Sequence, residues 1–336
     1  MLRAVAGELD LRRVVLDLSV ERHDDGYALL GETTAPAAVD DVLARAREVA
    51  DGPVHDRVVR LPTDDAPEAA LVRSAIAPLY GRPDPDAPLL SQYVLGQRLE
   101  PLSVRDHWVR VRGEDGHVGW VHGGYLVRCD EAWGTAWERG EEGDPQVALD
   151  GELADEAGHT IARLPWGGRI LRISVDRYRL PDGREGELAR GEVVDTDRLH
   201  DRFPARGESV ARTARRWLGV PYLWGGVTRA GADCSGFVLS VFWLHGIAVP
   251  RDSDLQVTVG EPVQLGDAFE GLRIGDLLFF ASDERVDHVG ICLGGTAFIH
   301  SAMTNGGVAV NDLAGDQDFD RVLRETFVGA RRLLPD

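Results

Sequence analysis

The stretch PYLWGGVTRAGADCSGFVLSVF, residues 221–242, holds a single cysteine between an aspartate and a serine-glycine pair. Behind Cys234 the run SGFVLSVFWLHGI sets Phe237, Val241 and Leu244 on one helical face, with Val238 and Phe242 beside them. Gly246 follows as a natural stop. The periodicity predicts a helix with Cys234 at its N-terminus. Unpaired amides and the positive end of the helix dipole favour a thiolate there, and the same amides suit a tetrahedral oxyanion. A free cysteine is more often a small buried hydrophobe, so the reading turns on its partners.

Those partners lie downstream. After RIGDLLFF, a strand opened by a Gly-Asp turn, the chain reads DHVGICLGGTAFIHSAMTNGGVAV. His288 stands at the start of one apolar strand and His300 at the end of the next, with Gly294-Gly295 as the hairpin between them. Adjacent antiparallel strands bring two such imidazoles together. A cysteine at a helix start, a base on a strand and an orienting group on its neighbour meet the needs of an activated thiol.

Six motifs over the last 130 or so residues, PYLWGG, DCSGFV, PRDSDLQ, LRIGDLLFF, DHVGI and AFIHS, resemble the NlpC-type cysteine peptidases of peptidoglycan peptides. The resemblance implies a papain-like α+β domain, a cysteine-bearing helix packed on an antiparallel sheet. It implies that Cys234 is the nucleophile, His288 its general base and His300 the group that orients His288. Tyr222 matches the tyrosine whose hydroxyl lies near the oxyanion. Trp224, Asp233 and Ser235 match residues around the substrate, and Asp252 and Ser253 match positions that bind its amino-terminal end. Read from the residues alone, Tyr222 and Trp224 serve equally as core aromatics, and Asp233 and Asp252 as helix caps.

Upstream, residues 79–122 (LYGRPDPDAPLLSQYVLGQRLEPLSVRDHWVRVRGEDGHVGWVH) resemble the bacterial SH3-like barrels that accompany cell-wall peptidases. A weaker echo follows. LGQRLEPL and WGGRILRI, then EDGHVGW and PDGREGE, set Gly116 and Gly183 in equivalent places and Gly119 and Gly186 likewise, which suggests a second, degenerate barrel. Before both, VVLDLSV, GYALLGETT and HDRVVRL read as strands. PAAVDDVLARAREVA reads as a helix with Val39, Val42, Leu43, Ala46 and Val49 on one stripe. The expected domains are a small α/β segment at 1–68, barrels at 69–128 and 129–197, and a peptidase domain at 205–336. The polar, proline-containing DTDRLHDRFPARGE reads as the linker into the last, and Ser209 as the cap of the helix that follows it.

Composition narrows the partners. The 336 residues carry a net charge of −19, and all 37 basic residues are arginine. So acidic a chain argues against nucleic acid or an anionic membrane surface. The first twenty residues are charged every few positions, unlike a signal peptide, so a cytoplasmic protein is expected. Three scattered cysteines without a CxxC pair predict neither a disulfide framework nor a zinc site, and neither metal nor cofactor is expected. Cys292 is expected in the core and Cys129 in a loop, with His107, His117 and His122 on a solvated surface.

The domain order resembles the cytoplasmic γ-D-glutamyl–diamino acid dipeptidyl-peptidases of cell-wall recycling. That implies cleavage between γ-D-glutamate and meso-diaminopimelate or L-lysine in free murein peptides, releasing L-Ala-D-Glu. It also implies a site for the alanine ammonium, with Asp84, Asp86 and Trp120 as candidates on the first barrel and Asp252 on the catalytic side. The alternatives are an endopeptidase acting on intact peptidoglycan and a non-catalytic wall-peptide binder.

Overall fold

The computed structural model describes residues 7, 9–23 and 25–335. The chain folds into two compact units, and they interleave in sequence. One comprises Met1–Leu71, Leu79–Pro88 and Arg98–Thr135, the other Val72–Pro78, Leu89–Gln97 and Ala136–Asp336.

The first unit begins with strands β1 (Leu16–His23) and β2 (Gly26–Thr33), helix α1 (Pro36–Val49) and strand β3 (Val54–Arg60). β1 pairs with β2 antiparallel, and β3 joins β2 in parallel across the α1 connection. Val39, Val42 and Leu43 bury the apolar stripe of α1 against Leu29 and Val58. Val49, in the last turn, does not join them and is exposed. Along the chain there follow β4 (Ala69–Val72), β5 (Ile76–Tyr80), β6 (Leu89–Val94), β7 (Arg98–Arg105), β8 (Trp108–Arg112), β9 (Val118–His122) and β10 (Leu126–Cys129), of which β6 belongs to the second unit. Within the first unit β8 pairs with both β7 and β9. Cys129 therefore ends a strand rather than sitting in a loop. His117 is buried, contrary to the solvated position expected of it.

The second unit holds a five-stranded barrel. Helix α2 (Glu131–Arg139) leads into β11 (Asp144–Ala154), β12 (Thr160–Leu164), β13 (Arg169–Arg172), β14 (Arg177–Arg179) and β15 (Glu185–Asp195). β11 pairs with β12, β13 and β15, which closes the sheet on itself. The glycine echo has a backbone cause: Gly116 and Gly183 both take φ of 82° in the turn before the last long strand of their sheets, a conformation that costs glycine little.

The rest of this unit starts with a one-turn helix, α3 (Leu199–Arg202), and α4 (Gly207–Arg215). Arg206, not Ser209, takes the N-cap position of α4, and Ser209 is buried inside the helix. Two short strands, β16 (Val227–Thr228) and β17 (Gly231–Ala232), precede α5 (Cys234–Leu244) and α6 (Ser253–Gln256). The remaining strands are β18 (Glu261–Pro262), β19 (Leu277–Ala281), β20 (Val286–Gly294), β21 (Ala297–Ala302) and β22 (Gly307–Asp312). Helix α7 (Asp318–Thr326) and β23 (Phe327–Arg332) end the chain. They form one sheet in the order β18-β23-β19-β20-β21-β22.

Alternation along these strands divides the sheet's side chains between two cores. Leu277, Phe279, Val289, Ile291 and Ile299 share one with Phe237, Val238, Val241 and Phe242 of α5. Leu278, Phe280, Cys292 and Phe298 share the other with Leu323 of α7. Each such buried apolar side chain contributes roughly 1.5–3 kcal/mol. α5 is thus a largely buried helix held against a sheet, and its first residue is the cysteine.

Candidate active site

Asp233 is the N-cap of α5. Its Oδ1 accepts from the Gly236 amide at 2.7 Å and its Oδ2 from the Gly225 amide at 2.8 Å. The same carboxylate takes a bidentate pair from Arg251, Nη1 to Oδ1 at 2.9 Å and Nη2 to Oδ2 at 2.6 Å. Arg251 is 1% exposed and also donates to Ser235 Oγ and Ser91 Oγ, each at 3.0 Å. Ser91 belongs to the Leu89–Gln97 segment of this unit. Gln256 Nε2 ties the segment down by donating to the carbonyls of Ser235 and Pro250. Asp233 and Ser235 are therefore engaged in an internal clamp, which gives them a structural duty where substrate contact was expected.

The clamp changes the electrostatics of the nucleophile. Burial, and then the Asp233 carboxylate, push the Cys234 thiol up to about 12, against the opposing pull of the Val289 and Ser235 amides and the Arg251 charge. The helix terminus does not win here, because its N-cap carries a negative charge and the sulfur is shut away from water. The thiol is protonated and its Sγ lies 3.9 Å from the Asp287 carbonyl oxygen, the residue before His288.

His288 and His300 meet through the strand register. β20 pairs with β21 at Ile291↔Ile299 and Cys292↔Phe298, so one step further Gly290 faces His300 and His288 lies diagonal to it. A Cβ on Gly290 would stand 3.1 Å from the His300 Cβ and 2.7 Å from Phe298; the glycine leaves His300 room to reach across. His288 Nε2 and His300 Nδ1 are 2.5 Å apart. His300 Nε2 is 2.9 Å from Asn311 Oδ1, and Asn311 Nδ2 donates to Asp320 Oδ1 at 2.6 Å. Burial, then His300, lowers His288 to about 3, and burial lowers His300 to about 4. At neutral pH the site holds a thiol and two neutral imidazoles, so the proton must leave sulfur as the sulfur attacks.

The remaining predicted residues divide. Tyr222 is half-buried, and burial above all pushes its phenol up to about 12, so its hydroxyl stays a donor throughout the physiological range. Trp224 is 68% exposed, a surface aromatic rather than a core one. Asp252 stands at the N-cap of α6 without a side-chain capping bond, and Ser253 is buried behind it.

In the first unit, Asp86 is exposed on a turn where its amide donates to Asp84. Trp120 is 2% exposed, with the guanidinium groups of Arg105 and Arg110 over its ring at 5.1 and 4.6 Å. Two cations already cover that ring, so Trp120 is not a platform for a substrate ammonium. Among the described residues no group of three or more His, Cys, Asp or Glu is placed to hold a metal ion. No helix among them is long and apolar enough to cross a membrane.

Sequence reading missed Arg251, Ser91, Asn311 and Asp320. Arg251 had a signal, since it lies inside PRDSDLQ, and an arginine among buried segments requires a carboxylate. Asn311, near the end of β22, and Asp320, in the first turn of α7, are polar residues in unremarkable local sequence and gave none.

A helix-borne cysteine packed on an antiparallel sheet, beside a histidine pair, defines a cysteine peptidase of papain-like fold. Residues 219–326 match the model of the NlpC/P60 family. Residues 79–124 match the bacterial dipeptidyl-peptidase Sh3 domain.

A γ-D-glutamyl-L-lysine dipeptidyl-peptidase of Bacillus cereus is 28% identical over 267 residues, covering 74% of this chain and 76% of its own. Dipeptidyl-peptidase 6 of Lysinibacillus sphaericus is 26% identical, covering 73% and 91%. The crystal structure of an NlpC/P60 family protein from Bacillus cereus superposes with a TM-score of 0.67 at 24% identity, covering 80% of this chain and all of that one.

Proposed function

We propose that the chain hydrolyses the bond between γ-D-glutamate and a diamino acid, meso-diaminopimelate or L-lysine, in free murein peptides that begin with L-alanine. The observation that carries this reading is the extent of the likeness. It runs over about three quarters of the chain to a relative named for γ-D-glutamyl-L-lysine dipeptidyl-peptidase activity, and a dipeptidyl-peptidase Sh3 match accompanies the peptidase domain. We place the activity in the cytoplasm on free peptides, supported by the net charge of −19, which disfavours an anionic wall.

In the proposed reaction Cys234 Sγ bonds to the γ-glutamyl carbonyl carbon while its proton passes to His288. Amides at the start of α5 and the Tyr222 hydroxyl receive the oxyanion. The carbon–nitrogen bond then breaks, and His288 returns its proton to the departing amine of the diamino acid. Water next attacks the thioester, giving one proton to His288, which passes it to the leaving sulfur as L-Ala-D-Glu departs. Asp252 is the proposed counter-charge for the alanine ammonium.

Purified protein incubated with L-Ala-γ-D-Glu-diaminopimelate is expected to release L-Ala-D-Glu, read by mass spectrometry. The N-acetylated peptide should be cleaved at least tenfold more slowly. Cys234→Ala should lose activity by about 10⁴-fold or more, the scale of removing a catalytic nucleophile. No dipeptide product, or full activity in Cys234→Ala, overturns the reading.

A further inference from the structure

We propose that Asp320, acting through Asn311, sets the tautomer of both histidines and leaves His288 Nδ1 as the free base, which makes Asp320 and Asn311 positioning residues for the peptidase. The inference rests on reading Cys234, His288 and His300 as the catalytic set.

Asp320 is 4% exposed. Burial opposes its ionisation, but the Asn311 amide, the Asp312 and Gln317 backbone amides and the Arg324 charge hold the carboxyl below its ordinary range. A carboxylate only accepts. The atom of Asn311 that lies 2.6 Å from Asp320 Oδ1 must therefore be the NH2 group, and the amide oxygen is turned to His300.

That orientation propagates. Asn311 Oδ1, 2.9 Å from His300 Nε2, requires a proton on Nε2. Neutral His300 then has a bare Nδ1, and the 2.5 Å contact to His288 Nε2 requires the proton to sit on the His288 side. Neutral His288 is left with a lone pair on Nδ1, the nitrogen not committed to His300. Asn305 is the one competing donor in these contacts. Its Nδ2 lies 2.7 Å from Asn311 Oδ1 and 3.2 Å from His300 Nε2. An amide oxygen has two lone pairs and accepts from both neighbours. In the reverse assignment a bare His300 Nε2 would face the Asn311 oxygen at 2.9 Å, lone pair against lone pair.

The surrounding sequence makes room for the carboxylate. A Cβ on Gly315 would fall 2.2 Å from Asp320 Oδ2, a distance no side chain tolerates. Helix α7 also supplies Phe319, whose ring stacks on His300 at 5.9 Å and 21°. The first turn of α7 thus fixes both the plane of the His300 ring and, through Asn311, the position of its proton.

The test uses the full chain labelled with ¹⁵N-histidine, assigned with His288→Gln and His300→Gln, without substrate. Both wild-type residues are expected as Nε2–H tautomers at pH 7; an Nδ1–H signal for His288 overturns the proposal. Asp320→Asn offers a donor to the Asn311 oxygen and lets that amide turn over. His288 should then shift to Nδ1–H, and kcat should fall about 10²–10⁴-fold with KM little changed, the scale expected for a base in the wrong tautomer.

The exchange Asn311→Asp with Asp320→Asn restores an acceptor opposite His300 Nε2. It should return His288 to Nε2–H and kcat to within about tenfold of wild type. A wild-type tautomer and rate in Asp320→Asn, or no recovery in the folded exchange variant, sinks the idea. If Asp320→Asn does not fold, the wild-type spectrum and the exchange variant still decide. Because the tautomers are read without turnover, a protein inactive on every murein peptide would defeat the proposed function and leave this inference standing or falling separately.

Discussion

Two buried carboxylates bracket the site, and the fold treats them differently. Asp233, 6% exposed, is met by a full positive charge: Arg251 binds both of its oxygens, and two backbone amides add to the pair. Asp320, at the other end, meets its closest donors in the neutral amide of Asn311 and the Asp312 backbone. The first charge lies one residue from the nucleophile, where an uncompensated anion would raise the thiol further. The second lies three hydrogen-bonded groups away and orders the protons between. Charge near the sulfur is paired with an arginine, and charge far from it gives direction.

The largest expected effect breaks the first of these arrangements. Removing one partner of a buried ion pair strands the other, at a cost of about 3–5 kcal/mol. Arg251→Met should therefore lower the unfolding free energy by about that amount, measured by urea denaturation at pH 7. Adding Asp233→Asn to it should recover about half, because the stranded charge is gone while the N-cap acceptor remains. A loss below about 1 kcal/mol in the single variant would mean that water, rather than the arginine, satisfies Asp233.

How much of this was legible follows from sequence distance. Cys234 and its helix were visible because apolar spacing and Gly246 are local signals. The His288–His300 pair was visible because a glycine hairpin joins two short strands. The Asp233–Arg251 clamp was not, since helix α5 and a loop separate the partners and Ser91 reaches Arg251 from 160 residues away. Trp120 was misread for the same reason: Arg110 is its cross-strand partner on β8, and register between strands is not written in either strand alone. The sign of the thiol shift also needed the structure, because burial outweighed the helix terminus.

A smaller, graded effect separates the two ends by pH. His288 and His300 are held at about 3 and about 4, against about 6.5 in the unfolded chain. Above pH 6.5 neither state binds these protons and their contribution to stability is fully present. As pH falls below 6.5 the unfolded chain takes up protons that the native state refuses. Stability then drops by up to about 1.4 kcal/mol per pH unit for each histidine until the folded values are reached. Urea midpoints between pH 7 and 5 should fall accordingly, and His300→Gln should reduce the slope by roughly half. Arg251→Met should lower the whole curve without steepening it; an unchanged slope in His300→Gln would remove the buried neutral pair from the account.

The smallest effect tests whether the relay is ordered from the core or from the surface. Asn305 is exposed, and its amide donates to the same Asn311 oxygen that faces His300. Water can take its place, so Asn305→Ala should cost less than about 1 kcal/mol of stability, and kcat on the tripeptide should fall no more than about fivefold. Asp320 has no such substitute, because it lies buried behind Gly315, where no added side-chain atom fits. A loss in Asn305→Ala as large as in Asp320→Asn, in parallel steady-state assays, would shift control of the histidine protons from α7 to the β21–β22 turn.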